Sequence, residues 1–139
     1  LDLLELFRDA GYLTRHEASK VALLLAWDEL PQSALGQRRF LHRAGPLWAT
    51  AACSLGARAG PGAIERWRTA LRPLVDLVRR EGPALFDPPR LLTGEEVQAL
   101  LGLPPGPGIG KALATLRQAQ VDGTVRTKEE ALALLKPEP

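Results

Sequence analysis

The run Pro104-Pro105-Gly106-Pro107-Gly108-Ile109-Gly110-Lys111 joins the residue types that a helix N-terminus needs to hold an anion. A turn between two helices can be made with a single glycine or proline; this one carries three of each between positions 104 and 110. Glycines at the start of a helix let a phosphate oxygen reach backbone amides without interference from Cβ. Those amides have no partner inside the helix and lie at the positive end of its dipole. With a helix beginning near Ile109, Ile109, Ala112, Leu113, Leu116 and Ala119 share the inward face while Lys111 and Gln118 point away. The amides around Gly108 and Gly110 are then expected to be unpaired, with Lys111 adding a mobile charge. The same letters suit a rigid turn that grips nothing, and the loop alone does not separate the two.

Arginine is the second chemically informative residue type. Arginines outnumber lysines 14 to 4, although the net charge is only +2. The forked guanidinium suits phosphate and stacks on bases, so the bias is compatible with nucleic acid. It is equally what a GC-rich or thermophilic genome produces. Arg38, Arg39 and Arg43, clustered in "GQRRFLHRAG", are the candidate contacts outside the glycine loop.

Other chemistry finds no footing. His16 and His42 have no ligand-like spacing with each other or with a carboxylate pair. Cys53, the single cysteine, excludes an internal disulfide and is expected to be a buried small hydrophobe in "LWATAACSLGARA". No nucleophile elbow and no Walker-type loop occurs. The pairs Asp28–Glu29 and Glu95–Glu96 point to different faces of their helices. The expectation is a chain with no catalytic residue and no metal site of its own.

These residues must be positioned by helices. Three Thr-x-x-Glu capping boxes occur, Thr14…Glu17, Thr93…Glu96 and Thr127…Glu130, and no stretch alternates as a strand does. The first box opens a helix running to about Leu30, apolar on nearly every side and therefore expected to be central and most buried. Pro31 stops it, and a second helix covers roughly 33–44. A third starts at Pro46 and ends near "GARAGPG". A fourth places Ile64, Trp67, Leu71, Leu74, Val75 and Val78 on one stripe, with Arg66, Arg68, Arg72, Arg79 and Arg80 largely off it. Pro73 is expected to kink or split that helix. After the Pro-rich connector "EGPALFDPPRLL" come three shorter helices at about 93–101, 109–122 and 128–135, with Gly123 placed as a C′ residue. The predicted fold is all-α: a helical body of about four helices over 1–88 and a small three-helix tail over 89–139 containing a helix-hairpin-helix-like Gly/Pro turn.

Residues 89–135 resemble the C-terminal end of the bacterial-type tRNA nucleotidyltransferases, which include CCA-adding, A-adding and poly(A)-polymerase-like enzymes. Gly94, Leu101, Gly102, Gly106, Pro107, Ile109, Gly110, Leu113, Gly123, Thr127, Glu129, Glu130 and Ala131 fit that pattern. Over 1–86 the likeness is much looser, carried by "RFLHRAGPLWATAACSLGARA". The resemblance implies a catalytic head holding Mg²⁺ and NTP through a Gly-Ser motif and paired aspartates, and a neck with a Glu-Asp-x-x-Arg template. None of those motifs stands in this sequence. It further implies that body and tail hold the elbow and T-arm end of tRNA. The expected partners are therefore tRNA and the head and neck of one parent chain. Gly108, Gly110, Lys111, Arg38, Arg39 and Arg43 are the expected contacts to the sugar-phosphate backbone.

Two readings from other classes stay open. The loop also resembles a helix-hairpin-helix DNA-binding module in miniature, and a helical spacer or dimerisation domain needs no nucleic acid at all. The start at Leu1 and the lack of methionine lead to the expectation of a piece of a longer protein. Without a signal peptide or an apolar run approaching ~20 residues, a cytoplasmic location with no membrane is expected.

Overall fold

The structure, a computed structural model, describes residues 5, 9–11 and 14–136; the remaining positions of the expected body and tail, 1–4, 6–8, 12–13 and 137–139, lie outside them. The described elements are all helical: α1 (Arg15–Leu24), α2 (Ala34–Ala44), a 3₁₀ turn at Gly45–Leu47, α3 (Trp48–Arg58), α4 (Ile64–Glu81), a second 3₁₀ turn at Gly82–Leu85, α5 (Gly94–Leu101), α6 (Pro107–Val121) and α7 (Lys128–Leu135). The chain divides into two compact units, Leu1–Arg80 and Glu81–Pro139.

In the first unit, Leu30, Phe40, Leu41, Ala44, Ala51, Ala52, Leu55, Ala70, Leu74 and Leu77 form the buried interior. α3 packs against both α1 and α2. Gly56 lets α3 lie directly on the indole of Trp67, since a Cβ there would stand 2.6 Å from Trp67 Cε2. The Trp67 Nε1–H donates to the Ala52 carbonyl at 2.8 Å, fixing the same contact by a hydrogen bond. Of the stripe expected on α4, Leu74 is buried while Ile64, Trp67, Leu71, Val75 and Val78 are half-buried; Ala70 and Leu77, outside that stripe, complete the buried face, and the arginines are exposed.

Several expectations are corrected here. α1 ends at Leu24, not near Leu30, and none of its residues is buried. The carbonyls left over at this early end are met in part by a residue distant in the chain. The Arg58 guanidinium donates to the carbonyls of Leu24 at 3.3 Å and Trp27 at 3.2 Å, taking up acceptors that a continuing helix would have used. Trp27 instead turns edge-on to Phe40, with ring centroids 4.6 Å apart. Cys53 is exposed, because the buried residues of α3 are Ala51, Ala52 and Leu55 and position 53 falls on the outer face. α4 runs unsplit through Pro73. The proline and Thr69, whose carbonyl loses its partner, are both exposed, so solvent can satisfy the orphaned oxygen.

In the second unit, Leu92, Val97, Ile109, Leu116, Val125 and Ala131 are buried together, with Ala112, Leu113 and Ala119 packed against them. α5, α6 and α7 pack pairwise around that cluster. Thr93 caps α5 reciprocally with Glu96, as Thr14 does α1 with Glu17. The third box is half formed: Thr127 accepts from the Glu130 amide, but Glu130 Oε1 accepts from the threonine hydroxyl and not from its backbone. α6 closes in a Schellman motif, with Gly123 at φ 79°, Gly123 N–H donating to Gln120 O and Thr124 N–H to Ala119 O. The connector is tied to α6 by Arg117, which donates to Asp87 Oδ1 at 2.9 Å and Pro88 O at 3.3 Å, and by Gln120 Nε2 to Pro89 O at 2.7 Å.

Candidate functional site

The Gly-Pro loop leads into α6 two residues earlier than its letters suggest. Pro107 occupies the first helical position, where its fixed φ suits the helix and its missing N–H costs nothing. Gly106 is the N-cap at φ 151°, ψ −159°, a conformation that essentially only glycine adopts. Its carbonyl accepts from the amides of Ile109 at 3.1 Å and Gly110 at 3.3 Å. The Gly110 amide is therefore engaged, contrary to the expectation of two unpaired amides. Gly108 N–H is the one with no acceptor inside the helix.

The three glycines are thus not equivalent. Gly106 is dictated by its backbone, and Gly108 sits under Leu103, whose Cδ1 would lie 3.2 Å from an added Cβ. Around Gly110 no atom lies within 4 Å of an added Cβ, and its φ is not positive. Nothing inside the fold requires glycine there, although glycine in a helix costs about 0.5–1 kcal/mol relative to alanine. Gly108, Gly110 and Lys111 are all exposed while Ile109 between them is buried, so one short segment presents backbone and ammonium outward on a seated helix start.

The other cations of the second unit differ in their engagement. Arg117 pairs with Asp87, Arg126 with Glu81 at 3.1 Å, and Lys128 with Glu96. The Lys128 ammonium and the Thr93 amide together hold the Glu96 carboxyl below the usual carboxylate range. Lys111, like Arg90 and Lys136, has no such partner among the described residues.

On the first unit, the structure separates the three arginines that the sequence groups together. The Arg43 guanidinium lies 5.2 Å from the centre of the Trp27 ring, a cation–π contact that ties it to the fold. Arg38 lines a groove between α2 and α4, and Arg39 is exposed. Among the described residues no group of three or more His, Cys, Asp or Glu side chains could hold a metal ion, and no helix is long and apolar enough to cross a membrane.

Comparison with known proteins bears on what this surface serves. The chain is 38% identical over 134 residues to a CC-adding tRNA nucleotidyltransferase of Thermus thermophilus, an alignment covering 92% of this chain and 27% of that protein. The chain is related to the tRNA nucleotidyltransferases. It is also 37% identical over 115 residues to an A-adding tRNA nucleotidyltransferase of Deinococcus radiodurans, with 78% of this chain and 26% of that protein aligned. A CC-adding enzyme of Geobacter sulfurreducens matches 41 residues at 56% identity, 30% of this chain and 10% of that protein. The chain spans about a quarter of the length of the first two curated relatives. No protein-family profile matches the chain, and no solved structure does.

Proposed function

We propose that this chain is the non-catalytic, tRNA-holding portion of a tRNA nucleotidyltransferase, a protein that adds CC, A or CCA to tRNA 3′ ends. The observation that carries the reading is the alignment of 92% of the chain, at 38% identity, with a CC-adding enzyme. The exposed helix start supplies a physical reason for it. Gly108 N–H donates to a backbone phosphate, Gly110 leaves room for the approach, and Lys111 contributes the charge. Arg38, Arg39 and Arg43 hold further sugar-phosphate on the first unit. Duplex RNA is held mainly through phosphates and 2′-hydroxyls, by shape and not by base identity, which suits a glycine loop with dispersed arginine. The partners are then tRNA and the head and neck of the same parent chain, and Mg²⁺ and NTP act in that head.

The test is tRNA binding to this chain across a salt series, with duplex DNA as competitor and Lys111→Ala beside wild type. Preference for tRNA, affinity falling with salt, and a slope shallower by about one in the variant are expected. Duplex DNA winning the competition would favour the helix-hairpin-helix alternative. Indifference to both polymers refutes the proposal and leaves a structural module.

A further inference from the structure

The first unit carries a groove of about 750 Å³ between the N-terminal half of α2 and the C-terminal half of α4, lined by Gln37, Arg38, Arg72, Asp76, Arg79 and Arg80 among others. Three other exposed arginines of the first unit are engaged: Arg66 with Glu29 at 3.3 Å, Arg68 with Glu65 at 3.2 Å, and Arg58 with backbone carbonyls. Arg72, Arg79 and Arg80 form no ion pair or hydrogen bond among the described residues. Asp76 is four positions from both Arg72 and Arg80, a spacing at which helical ion pairs form, yet it pairs with neither. The groove therefore keeps three unengaged guanidinium groups, those of Arg72, Arg79 and Arg80, against one carboxylate.

Their arrangement is linear. Positions 72, 76, 79 and 80 fall on one exposed side of α4, with Arg80 at its edge next to the buried Leu77, which also lines the groove. Seven to eight residues of helix place Arg72 about 11 Å from Arg79 and Arg80 along the axis. Even in a B-form DNA duplex a strand advances only about 3.4 Å of axis per nucleotide, well short of this separation, so the two ends of the stripe meet different phosphates. Arg38 from α2 closes the opposite wall.

We propose that this groove is a second phosphate track, which takes one strand of the tRNA backbone independently of the glycine loop through Arg72, Arg79 and Arg80. It rests on the tRNA-holding reading above. Charge complementarity selects a polyanion, and the fork of arginine suits phosphodiester oxygens.

The experiment measures tRNA affinity against salt for wild type, Arg72→Gln with Arg80→Gln, Lys111→Ala, and all three together, with thermal melts of each. The groove variant is expected to melt with wild type, because the side chains it replaces are exposed and unpaired. Its slope of log affinity against log salt should be shallower by about two, one per lost phosphate contact. The triple variant should lose about three, since the two sites act separately. If wild type binds tRNA and the groove variant keeps the full slope, the track is refuted while the tRNA reading stands. If wild type shows no salt-dependent tRNA binding, both are refuted. A loss on polyglutamate as large as that on tRNA overturns RNA as the occupant in favour of an acidic protein segment.

Discussion

Gly110→Ala tests the phosphate reasoning with two readouts that should move in opposite directions. An alanine Cβ at this position meets no atom within 4 Å, and the backbone φ is not positive, so the substitution introduces neither a clash nor strain. Replacing glycine by alanine in a helix stabilises by about 0.5–1 kcal/mol, chiefly by reducing the freedom of the unfolded chain. For a unit of this size that raises the melting temperature by about 2–8 °C. Binding should change the other way. On the proposed phosphate site the added methyl group would obstruct approach to the Gly108 amide, and a hydrogen bond to a charged group contributes about 1.5–3 kcal/mol. Loss of one such bond weakens tRNA binding about tenfold or more. The assay pairs a thermal melt with fluorescence anisotropy on labelled tRNA at fixed salt. A more stable protein that binds tRNA as wild type does would show that the open space at Gly110 serves no ligand, and would reduce the loop to a turn.

Two further predictions concern the scaffold. Gly56→Ala drives a Cβ to 2.6 Å from the Trp67 indole, and overpacking of that kind costs about 1–3 kcal/mol. Gly60→Ala, with nothing within 4 Å, is the neighbouring control; equal denaturation midpoints for the two variants would refute the close-contact account. Glu96 is held below its ordinary value of 4.5 by Lys128 and by the Thr93 amide. A carboxyl whose folded pKa is depressed stabilises the fold above its unfolded pKa, and that stabilisation is lost as pH falls through the folded value. Glu96→Gln should therefore lower the urea midpoint near neutral pH and make the decline below pH 4.5 shallower; parallel acid profiles for the two proteins would count against the linkage.

What could be read from the sequence was local. The Thr-x-x-Glu boxes at Thr14 and Thr93 are formed as their spacing requires. The α6 face of Ile109, Ala112, Leu113, Leu116 and Ala119 packs as its periodicity predicts, and Gly123 ends the helix in a positive-φ turn. Each of these depends on groups within about four residues of one another, where chain geometry leaves few alternatives. The tail's likeness to tRNA nucleotidyltransferases was also written in such local signals.

Tertiary structure decided the rest, because burial and pairing are set by neighbours that are remote in the chain. Arg58 meets the Leu24 carbonyl at the end of α1 from more than thirty positions away, and an apolar run expected to be central stops there and is unburied. Cys53 lies on the outer face because α3 turns Ala51, Ala52 and Leu55 inward. The early start at Pro107 engages the Gly110 amide and leaves that of Gly108. The grouping of Arg38 with Arg72, Arg79 and Arg80 exists only once two helices pack side by side. Periodicity shows which side of a helix is polar; only packing shows which polar sides meet.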